Sequence, residues 1–383
     1  GYQLVTWTGE GGAVAHPWCV FDTEITARWL PGSRRVLVRQ ERHGRGLLTV
    51  VELASRGRVR LPVPEGTVLD AAADGHGTVR CLWTDTRTPA RILTLGPSAR
   101  RLPPGPPEPP PMDAEVRDLW TEGPDGPVHT LLTSPAGRPG PRPVVFLVHG
   151  GPAAHDQDAY DPTVHSLVAS GLVVARVNYR GSTGYGPRWR AAWRDGVGLT
   201  QIADLAAVRA DLVRRGVADP DAVSLWGTSW GGYLVLLALG RQPALWRAGV
   251  AVKPLADYAA AWALGTPALR ALDTALFGGT PDEVPERYAR SSPATYVRAV
   301  RAPVLVVAAT HDAKCPPEQV RGYLAALRAA GGSVCREVWL DSGHDGHDGA
   351  DHVRVLRHGL HFLARELRAA RTGTPHPRAP ERR

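Results

Sequence analysis

A run of nine residues, seven of them proline, divides the chain at 103–111, where the sequence reads Pro-Pro-Gly-Pro-Pro-Glu-Pro-Pro-Pro. Proline fixes the backbone φ angle and lacks an N–H donor, so this run is excluded from helices and central strands and favours a stiff connector. The 383 residues leave room for a structural unit on each side. We expect a small unit over 1–102, a linker over 103–111, a large unit over 112–370 and a disordered basic tail over 371–383.

Before the linker, short apolar runs of strand length alternate with turn residues. The turns at Pro31-Gly32 and Asp74-Gly75 lie 43 residues apart, and each is followed by an apolar run. Units of about 40–50 residues built from short strands are typical of β-propeller blades, and a small irregular β-sandwich is the alternative. A propeller needs roughly four to eight blades, whereas about two fit here. We therefore expect further blades on a preceding segment or companion chain, or burial of this region in an oligomer.

After the linker, apolar runs of strand length alternate with helical patterns. Several of the strand-like runs are continuously apolar, as in parallel strands that are covered on both faces. This alternation predicts an α/β fold with a doubly wound, mostly parallel sheet, and a helical excursion over the end of the sheet at 255–300. The predicted strands are 144–148, 172–177, 223–226, 248–252, 304–309 and 336–340, and the predicted helices are 199–215, 233–239, 317–330 and 353–370.

The sequence Gly227-Thr228-Ser229-Trp230-Gly231 joins the strand predicted at 223–226 to an apolar helix. A G-x-S-x-G sequence in this context indicates a nucleophile elbow, a sharp strand-to-helix turn whose flanking glycines prevent clashes. The turn exposes the serine hydroxyl near a helix N-terminus, where free N–H groups favour developing negative charge. We predict Ser229 as the nucleophile of an α/β-hydrolase.

A serine hydroxyl becomes a good nucleophile when a histidine takes its proton and a carboxylate orients that histidine. In α/β-hydrolases the acid and then the histidine follow the serine along the chain, on loops after later strands. Asp312 follows the strand predicted at 304–309 and is our predicted acid. Asp341 is the competing carboxylate, which we expect to cap a turn.

His344 is the first histidine after the strand predicted at 336–340, and it is our predicted base, with His347 as the alternative. The stretch from there to residue 352 contains three histidines and three aspartates, so it also has an interpretation as a metal site. That interpretation requires ligands to converge from one glycine-rich loop, and we expect neither a metal nor a cofactor. The residues concerned are His344, Asp345, His347, Asp348, Asp351 and His352.

A Gly-Gly turn follows the strand predicted at 144–148, in the sequence His149-Gly150-Gly151-Pro152. Backbone N–H groups of such a turn, together with the N–H of Trp230 after the nucleophile, can bind the oxyanion of a tetrahedral intermediate. The sequence therefore predicts all the parts of an acyl-transfer site.

These motifs together resemble the prolyl oligopeptidase family, and within it the acylaminoacyl-peptidase-like branch. The family's D-x-R-x-P motif around the acid is matched at 312–316, with Lys314 in place of arginine. The resemblance implies that Gly151 and Trp230 supply the oxyanion N–H groups and that His344, in a Gly-His pair, is the base. The motifs that carry it are His149-Gly150-Gly151-Pro152, Asn178-Tyr179-Arg180-Gly181-Ser182-Thr183-Gly184-Tyr185-Gly186 and Gly227-Thr228-Ser229-Trp230-Gly231-Gly232-Tyr233.

The resemblance implies a serine peptidase for short peptides, of aminopeptidase or acyl-peptide hydrolase type, because the family's propeller caps the active site and excludes folded substrates. The same triad also serves an esterase, amidase or acyltransferase that acts on a small metabolite. An inactive interaction module is disfavoured, since Ser229, Asp312 and His344 occur in the required order.

Composition argues against several other classes of protein. The net charge is +8, and nearly all of the positively charged side chains are arginines. They form no basic stripe with interleaved aromatic residues, so no nucleic-acid partner is expected. No apolar run reaches the ~18 residues that span a bilayer, so no membrane partner is expected. The four cysteines form no C-x-x-C motif, so neither a metal-binding nor a redox-active cysteine pair is expected. We expect a cytoplasmic protein.

Overall fold

The structure is a computed structural model that describes residues 1–7, 9–95, 112–137, 140–331, 333–345 and 349–371. The predicted linker at 103–111, the alternative base His347 and residues 372–383 of the predicted tail lie outside the described residues.

Residues 1–95 contain three small antiparallel sheets. Val36 and Val79 belong to the two repeated units of the sequence, and each lies in the second strand of its sheet. The 43-residue repeat therefore relates strands that have the same position in their sheets. The first sheet contains β1 (Tyr2–Trp7) and β2 (Ala13–Phe21); the second contains β3 (Ile25–Trp29), β4 (Arg35–Arg42), β5 (Arg45–Glu52) and β6 (Gly57–Arg60); the third contains β7 (Thr67–Ala73), β8 (Val79–Thr84) and β9 (Arg91–Leu95).

The second sheet packs its two faces against the two neighbouring sheets. Successive side chains of a strand point to opposite faces, and accordingly Val36 and Val38 pack with Phe21 of the first sheet. Leu37, between them, packs with Trp83 of the third sheet. Small antiparallel sheets stacked face to face are the arrangement of propeller blades, so the predicted partial β-propeller is present. It consists of three sheets, whereas about two blades were expected from the sequence.

The described residues from 112 to 371 contain one eight-stranded sheet in the order β10-β11-β13-β12-β14-β15-β16-β17. The pairs β10–β11 and β11–β13 are antiparallel, and the remaining pairs are parallel. The strands are β10 (Ala114–Gly123), β11 (Gly126–Pro135), β12 (Arg142–Val148), β13 (Val173–Asn178), β14 (Ala218–Thr228), β15 (Gly249–Val252), β16 (Val304–Ala309) and β17 (Cys335–Leu340).

Helices cover both faces of this sheet, so the predicted α/β-hydrolase fold class is confirmed. In β12, Val144, Phe146 and Val148 pack on one face with α3, α4 and α8, whereas Val145 and Leu147 pack on the other with α1 and α9. The helices are α1 (Pro162–Ala169), α2 (Pro187–Ala191), α3 (Leu199–Arg214), α4 (Trp230–Arg241), α5 (Tyr258–Leu264), α6 (Pro267–Phe277), α7 (Pro285–Ser291), α8 (Pro317–Ala330) and α9 (Gly349–Arg371).

The predicted elements of this region are present, most of them with shifted ends. The strand predicted at 304–309 and the helix predicted at 317–330 have the observed bounds, whereas the helix predicted at 233–239 begins earlier, at Trp230. The excursion expected at 255–300 consists of α5, α6, α7 and a 3₁₀ segment, Pro293–Ala299. None of the helices in the described residues is long and apolar enough to cross a bilayer.

Candidate active site

Ser229 lies between the end of β14 and the start of α4, in the predicted elbow. Its φ of 58° and ψ of −119° place a non-glycine residue in a sparsely populated region of backbone space. Its N–H donates to the carbonyl of Val252 at 2.8 Å, and its carbonyl accepts from the N–H of Tyr233 at 2.9 Å. These hydrogen bonds to the next strand and to the helix hold the strained turn in place.

The two outer glycines of the elbow are required by close backbone approaches. A Cβ atom on Gly227 would collide with the backbone of Gly231, and one on Gly231 would collide with the carbonyl of Val148 in β12. Only glycine lets the strand, the turn and the helix approach this closely, and the G-x-S-x-G pattern follows from that geometry.

The structure brings Ser229, His344 and Asp312 together in one hydrogen-bonded line. The Nε2 atom of His344 lies 2.9 Å from the Oγ atom of Ser229. Its Nδ1 atom lies 2.8 Å and 3.0 Å from the two carboxylate oxygens of Asp312. The Asp312 side chain is buried and the His344 ring is 11% exposed, so the line is largely shielded from water while the serine end faces a cavity.

Asp312 is held by the loop that follows β16. Its Oδ1 atom accepts hydrogen bonds from the backbone N–H of Lys314 at 2.9 Å and of Cys315 at 2.7 Å. Asp341, the competing carboxylate, is 91% exposed and lies 2.9 Å from the Nε2 atom of His311. The structure therefore places Asp312, and not Asp341, beside the histidine.

Lys253 is a further residue of the site, and the sequence did not predict it. It follows β15, is buried, and donates from Nζ to the carbonyls of Gly343 at 2.6 Å and His344 at 2.9 Å. Burial lowers its pKa, although the carboxylate of Asp312 acts in the opposite direction. A buried lysine at the carboxyl end of a central strand, in a chain with two lysines, is the signal that marks it.

Lys314, the residue that replaces the family's arginine, contacts the histidine loop from outside. Its Nζ atom lies 2.8 Å from an Asp345 carboxylate oxygen, and both side chains are more than half exposed. The loop that carries His344 is thus bound by two lysines, the buried Lys253 and the exposed Lys314.

The predicted oxyanion donors border the same cavity as Ser229, which Gly151 and Trp230 both line. Trp230 is the first residue of α4, where N–H groups have no partner inside the helix. Beside Gly151, the ring of His149 stacks on that of Tyr179 at 4.1 Å, and burial lowers the pKa of His149 to about 4. The neutral ring also contacts the loop before Gly151, since its Nδ1 atom lies 2.8 Å from the carbonyl oxygen of Gly150.

The ligand-type side chains of Asp312, Cys315 and His344 lie within 4.8 Å of one another. Both ring nitrogens of His344 already face hydrogen-bond partners. Burial and the Asp312 carboxylate raise the pKa of the Cys315 thiol, which disfavours the thiolate that a metal binds. The donor set of this group suits a hydrogen-bonded triad better than a metal.

Comparison with known proteins gives a family match and several relatives. Residues 159–370 match the Peptidase_S9 family model, described as the prolyl oligopeptidase family. An acylamino-acid-releasing enzyme from Arabidopsis thaliana is 25% identical over 303 residues, covering 74% of this chain and 38% of that enzyme. Dipeptidyl peptidase family member 6 from Caenorhabditis elegans is 26% identical over 209 residues, covering 53% and 28%. The chain therefore spans well under half the length of these relatives.

Solved structures resemble the whole described fold. A crystal structure of puromycin hydrolase has a TM-score of 0.81 at 25% identity, covering 95% of this chain and 60% of that chain. An acylaminoacyl peptidase from Pyrococcus horikoshii has a TM-score of 0.80 at 21% identity, covering 94% and 58%, which is a likeness of fold alone. Coverage this high includes the N-terminal sheets as well as the eight-stranded sheet.

Proposed function

Since this chain belongs to the prolyl oligopeptidase family, we propose that it is a serine peptidase that hydrolyses short peptides through an acyl-enzyme. The observation that carries this proposal is the line from Ser229 Oγ to His344 Nε2, at 2.9 Å, and from His344 Nδ1 to Asp312, at 2.8 Å. A nucleophile, a base and an orienting acid at hydrogen-bonding distance are the components that acyl transfer requires.

In the proposed mechanism, Ser229 Oγ attacks the scissile carbonyl carbon while His344 Nε2 takes the hydroxyl proton. Asp312 holds the imidazole in the correct tautomer and stabilises the imidazolium that forms. The backbone N–H groups of Gly151 and Trp230 stabilise the oxyanion, a contribution whose loss typically costs about 10²–10³ in rate. His344 then donates its proton to the leaving amine.

In the second half of the reaction, a water molecule attacks the acyl-enzyme and His344 takes its proton. The tetrahedral intermediate collapses, the carboxyl product leaves, and Ser229 regains its proton. Both halves use the same oxyanion donors, because the negative charge develops on the same carbonyl oxygen.

Short peptides are the proposed substrate class, of aminopeptidase or acyl-peptide hydrolase type. The names of the relatives support this choice, since they include acylamino-acid-releasing enzymes and a dipeptidyl peptidase family member. The partial β-propeller of residues 1–95 supports it as well, because the propeller of the family that the sequence resembles caps the active site and excludes folded substrates.

We also propose a cytoplasmic location. Cys19, Cys81, Cys315 and Cys335 are free thiols, three of them buried, and reduced thiols are the usual state of cysteine in the cytoplasm. Cell fractionation with an antibody against the native protein tests this; recovery in an extracellular or periplasmic fraction would contradict it.

The experiment that tests the function combines active-site labelling with a substrate panel. A fluorophosphonate probe should label the wild-type protein and the control variant Ser170→Ala, which alters an exposed serine of α1's C-terminal cap, but not Ser229→Ala. The panel contains aminoacyl, acyl-peptide and simple ester chromogenic substrates. Labelling that persists in Ser229→Ala would refute the assignment of the nucleophile. Turnover of esters without any peptide would instead support the esterase alternative.

A further inference from the structure

A cavity of about 130 Å³ opens beside Ser229 and is lined by residues of α4, α5 and α6. Its walls are largely apolar and include Trp193, Trp230 and Tyr258. Gly151 and His344 border the same cavity. When Ser229 attacks a peptide, the residue that contributes the reacting carbonyl is the acyl-side residue. Its side chain is therefore the one that enters this cavity.

One carboxylate, that of Asp273, interrupts this apolar lining. Asp273 lies on α6, and Leu269 and Leu276 at the i−4 and i+3 positions of the same helix line the cavity with it. Within the described residues, the carboxylate accepts no hydrogen bond and forms no ion pair. Burial raises the pKa of Asp273 to about 6, so it is mostly ionised at neutral pH.

Asp273 has no cationic group among the titratable neighbours on which its charge acts. Its charge acts on Tyr258, Tyr288 and Cys315, and both tyrosines are 1% exposed. The pKa of each of these three groups is raised, first of all by burial. All three are therefore neutral near pH 7 and leave the carboxylate charge uncompensated.

The two side chains at the cavity that can carry a positive charge, Lys314 and His344, have other partners. Lys314 lines the cavity, but its ammonium group pairs with Asp345 at 2.8 Å. His344 lies between Ser229 and Asp312. Among the described residues, no cation of the protein neutralises Asp273.

Asp273 is partly buried, and a carboxylate that is partly removed from water without a partner is unfavourable until a cation joins it. Lysine and arginine side chains bury their aliphatic stems against apolar surfaces and keep the charge at the tip, and aromatic faces such as those of Trp193 and Trp230 attract that charge. A largely apolar cavity whose lining includes one acid, Asp273, suits such a side chain.

We propose that Asp273 is a specificity-determining residue that selects peptides with lysine or arginine at the acyl-side position. The proposal rests on the proposed function, because it assigns the substrate class of the same site. A negatively charged side chain at that position is rejected, since it would meet the carboxylate.

The test uses acyl-blocked peptide p-nitroanilides that differ only in the acyl-side residue. Arginine is compared with citrulline, its neutral counterpart, and lysine with norleucine. At pH 7.5 we expect kcat/KM for each cationic substrate to exceed that of its neutral counterpart about 10–100-fold, as charge-assisted hydrogen bonds allow. Asp273→Asn should reduce both ratios to near one, and Asp282→Asn, which alters an exposed acid before α7, should retain them.

A pH series on the wild-type protein gives a second measurement that needs no variant. The arginine-to-citrulline ratio should fall as the pH drops through about 6, because Asp273 then becomes protonated. The ratio in Asp273→Asn should stay flat over the same range, and fluorophosphonate labelling shows that this variant is folded.

Three results would overturn the proposal. They are equal rates for arginine and citrulline in the wild-type protein, a ratio that survives in Asp273→Asn, or, when the same peptides are also assayed without the acyl block, a loss of activity in Asp273→Asn that is confined to those with a free amino terminus. The last would mean that Asp273 binds a terminal ammonium group. Citrulline hydrolysis that Ser229→Ala abolishes would still support the proposed function. If no substrate is hydrolysed in a Ser229-dependent way, both proposals fall.

Discussion

The regions on either side of the proline-rich segment are each held by apolar packing, whereas most contacts between their described residues are polar. The exceptions include ring contacts of His43 with Trp120 and Tyr185. Two apolar cores lie entirely within residues 1–95, and two lie entirely within 112–371. Across the junction, Glu24 accepts a hydrogen bond from the N–H of Gly184 at 2.7 Å. Asp158 accepts two from Thr86, at 3.0 Å and 2.7 Å.

The catalytic side chains belong to only one of these two regions. Ser229, Asp312 and His344 all follow strands of the eight-stranded sheet, and the large cores on both faces of that sheet fix the strand ends. The N-terminal sheets lie against the same region without contributing any of these three side chains. Catalysis should therefore depend on the second region directly and on the first only through the junction.

The largest effect should come from within the triad. His344→Ala should lower kcat by a factor on the order of 10⁶, as for triad residues elsewhere, and the double variant with Ser229→Ala should be little worse because the residues act as a unit. Hydrolysis of a chromogenic peptide measures both. His361→Ala, an exposed histidine on α9, is the control and should leave kcat unaltered.

His347 gives the informative alternative, since it competes with His344 in the sequence. His347→Ala should lower kcat only slightly. If His347→Ala abolished turnover and His344→Ala did not, the base would have to be reassigned, and the observed distance between His344 and Ser229 would have no catalytic meaning.

The sequence was most informative where local geometry demands particular residues. Gly227 and Gly231 are required by close backbone approaches, so the elbow could be predicted without a structure. The continuous apolar run of β16 reflects burial on both faces, and its bounds were predicted correctly. The family resemblance drawn from these motifs is confirmed by the match over 159–370.

What the sequence did not reveal depends on long-range contacts. The antiparallel hairpin β10–β11 was not predicted, because β10 is mostly exposed and β11 buries polar residues such as His129 and Thr130. Lys253 lies 90 residues before the loop whose carbonyls it binds. Asp273 could not be identified from the sequence, because the cavity that it lines is formed by residues far apart in the chain, from Gly151 to His344.

The next largest effect should test the polar junction. Asp158→Ala removes the acceptor of two hydrogen bonds from buried Thr86 and a carboxylate 3.5 Å from Arg45. Leaving these buried donors without a partner should lower the free energy of unfolding by about 2–3 kcal/mol. Chemical denaturation measures this, and limited proteolysis should cleave residues 1–95 faster.

Asp70→Ala is the matched control, because it breaks an exposed ion pair with Arg28 within the N-terminal region and should barely change stability. Asp158→Ala should retain kcat for a small ester within a few-fold, since the triad lies in the other region. Unchanged stability and proteolysis in Asp158→Ala would mean that the polar contacts do not hold the regions together.

A smaller effect should come from Lys253, which acts through the position of His344. Lys253→Met keeps the aliphatic stem but removes the donor to the carbonyls of Gly343 and His344, so the histidine loop loses two hydrogen bonds. We expect kcat to fall about 10–100-fold with little change in KM, because small displacements of a catalytic group are costly. A thermal melt shows whether the variant is folded. A matching rise in KM with unchanged kcat would contradict a positioning role.

The smallest effect should come from Lys314, which contacts the same loop from the solvent side. Its partner Asp345 is 75% exposed and Lys314 itself 53%, and solvent and salt screen such pairs strongly. Lys314→Met should therefore change kcat by no more than about threefold, and raising the salt concentration should change wild-type kcat as little. Measured beside Lys253→Met, it compares two lysines on one loop that differ in burial. If Lys314→Met were as damaging as Lys253→Met, the exposed ion pair would fix the histidine, and burial in the large core would not explain how the site is held.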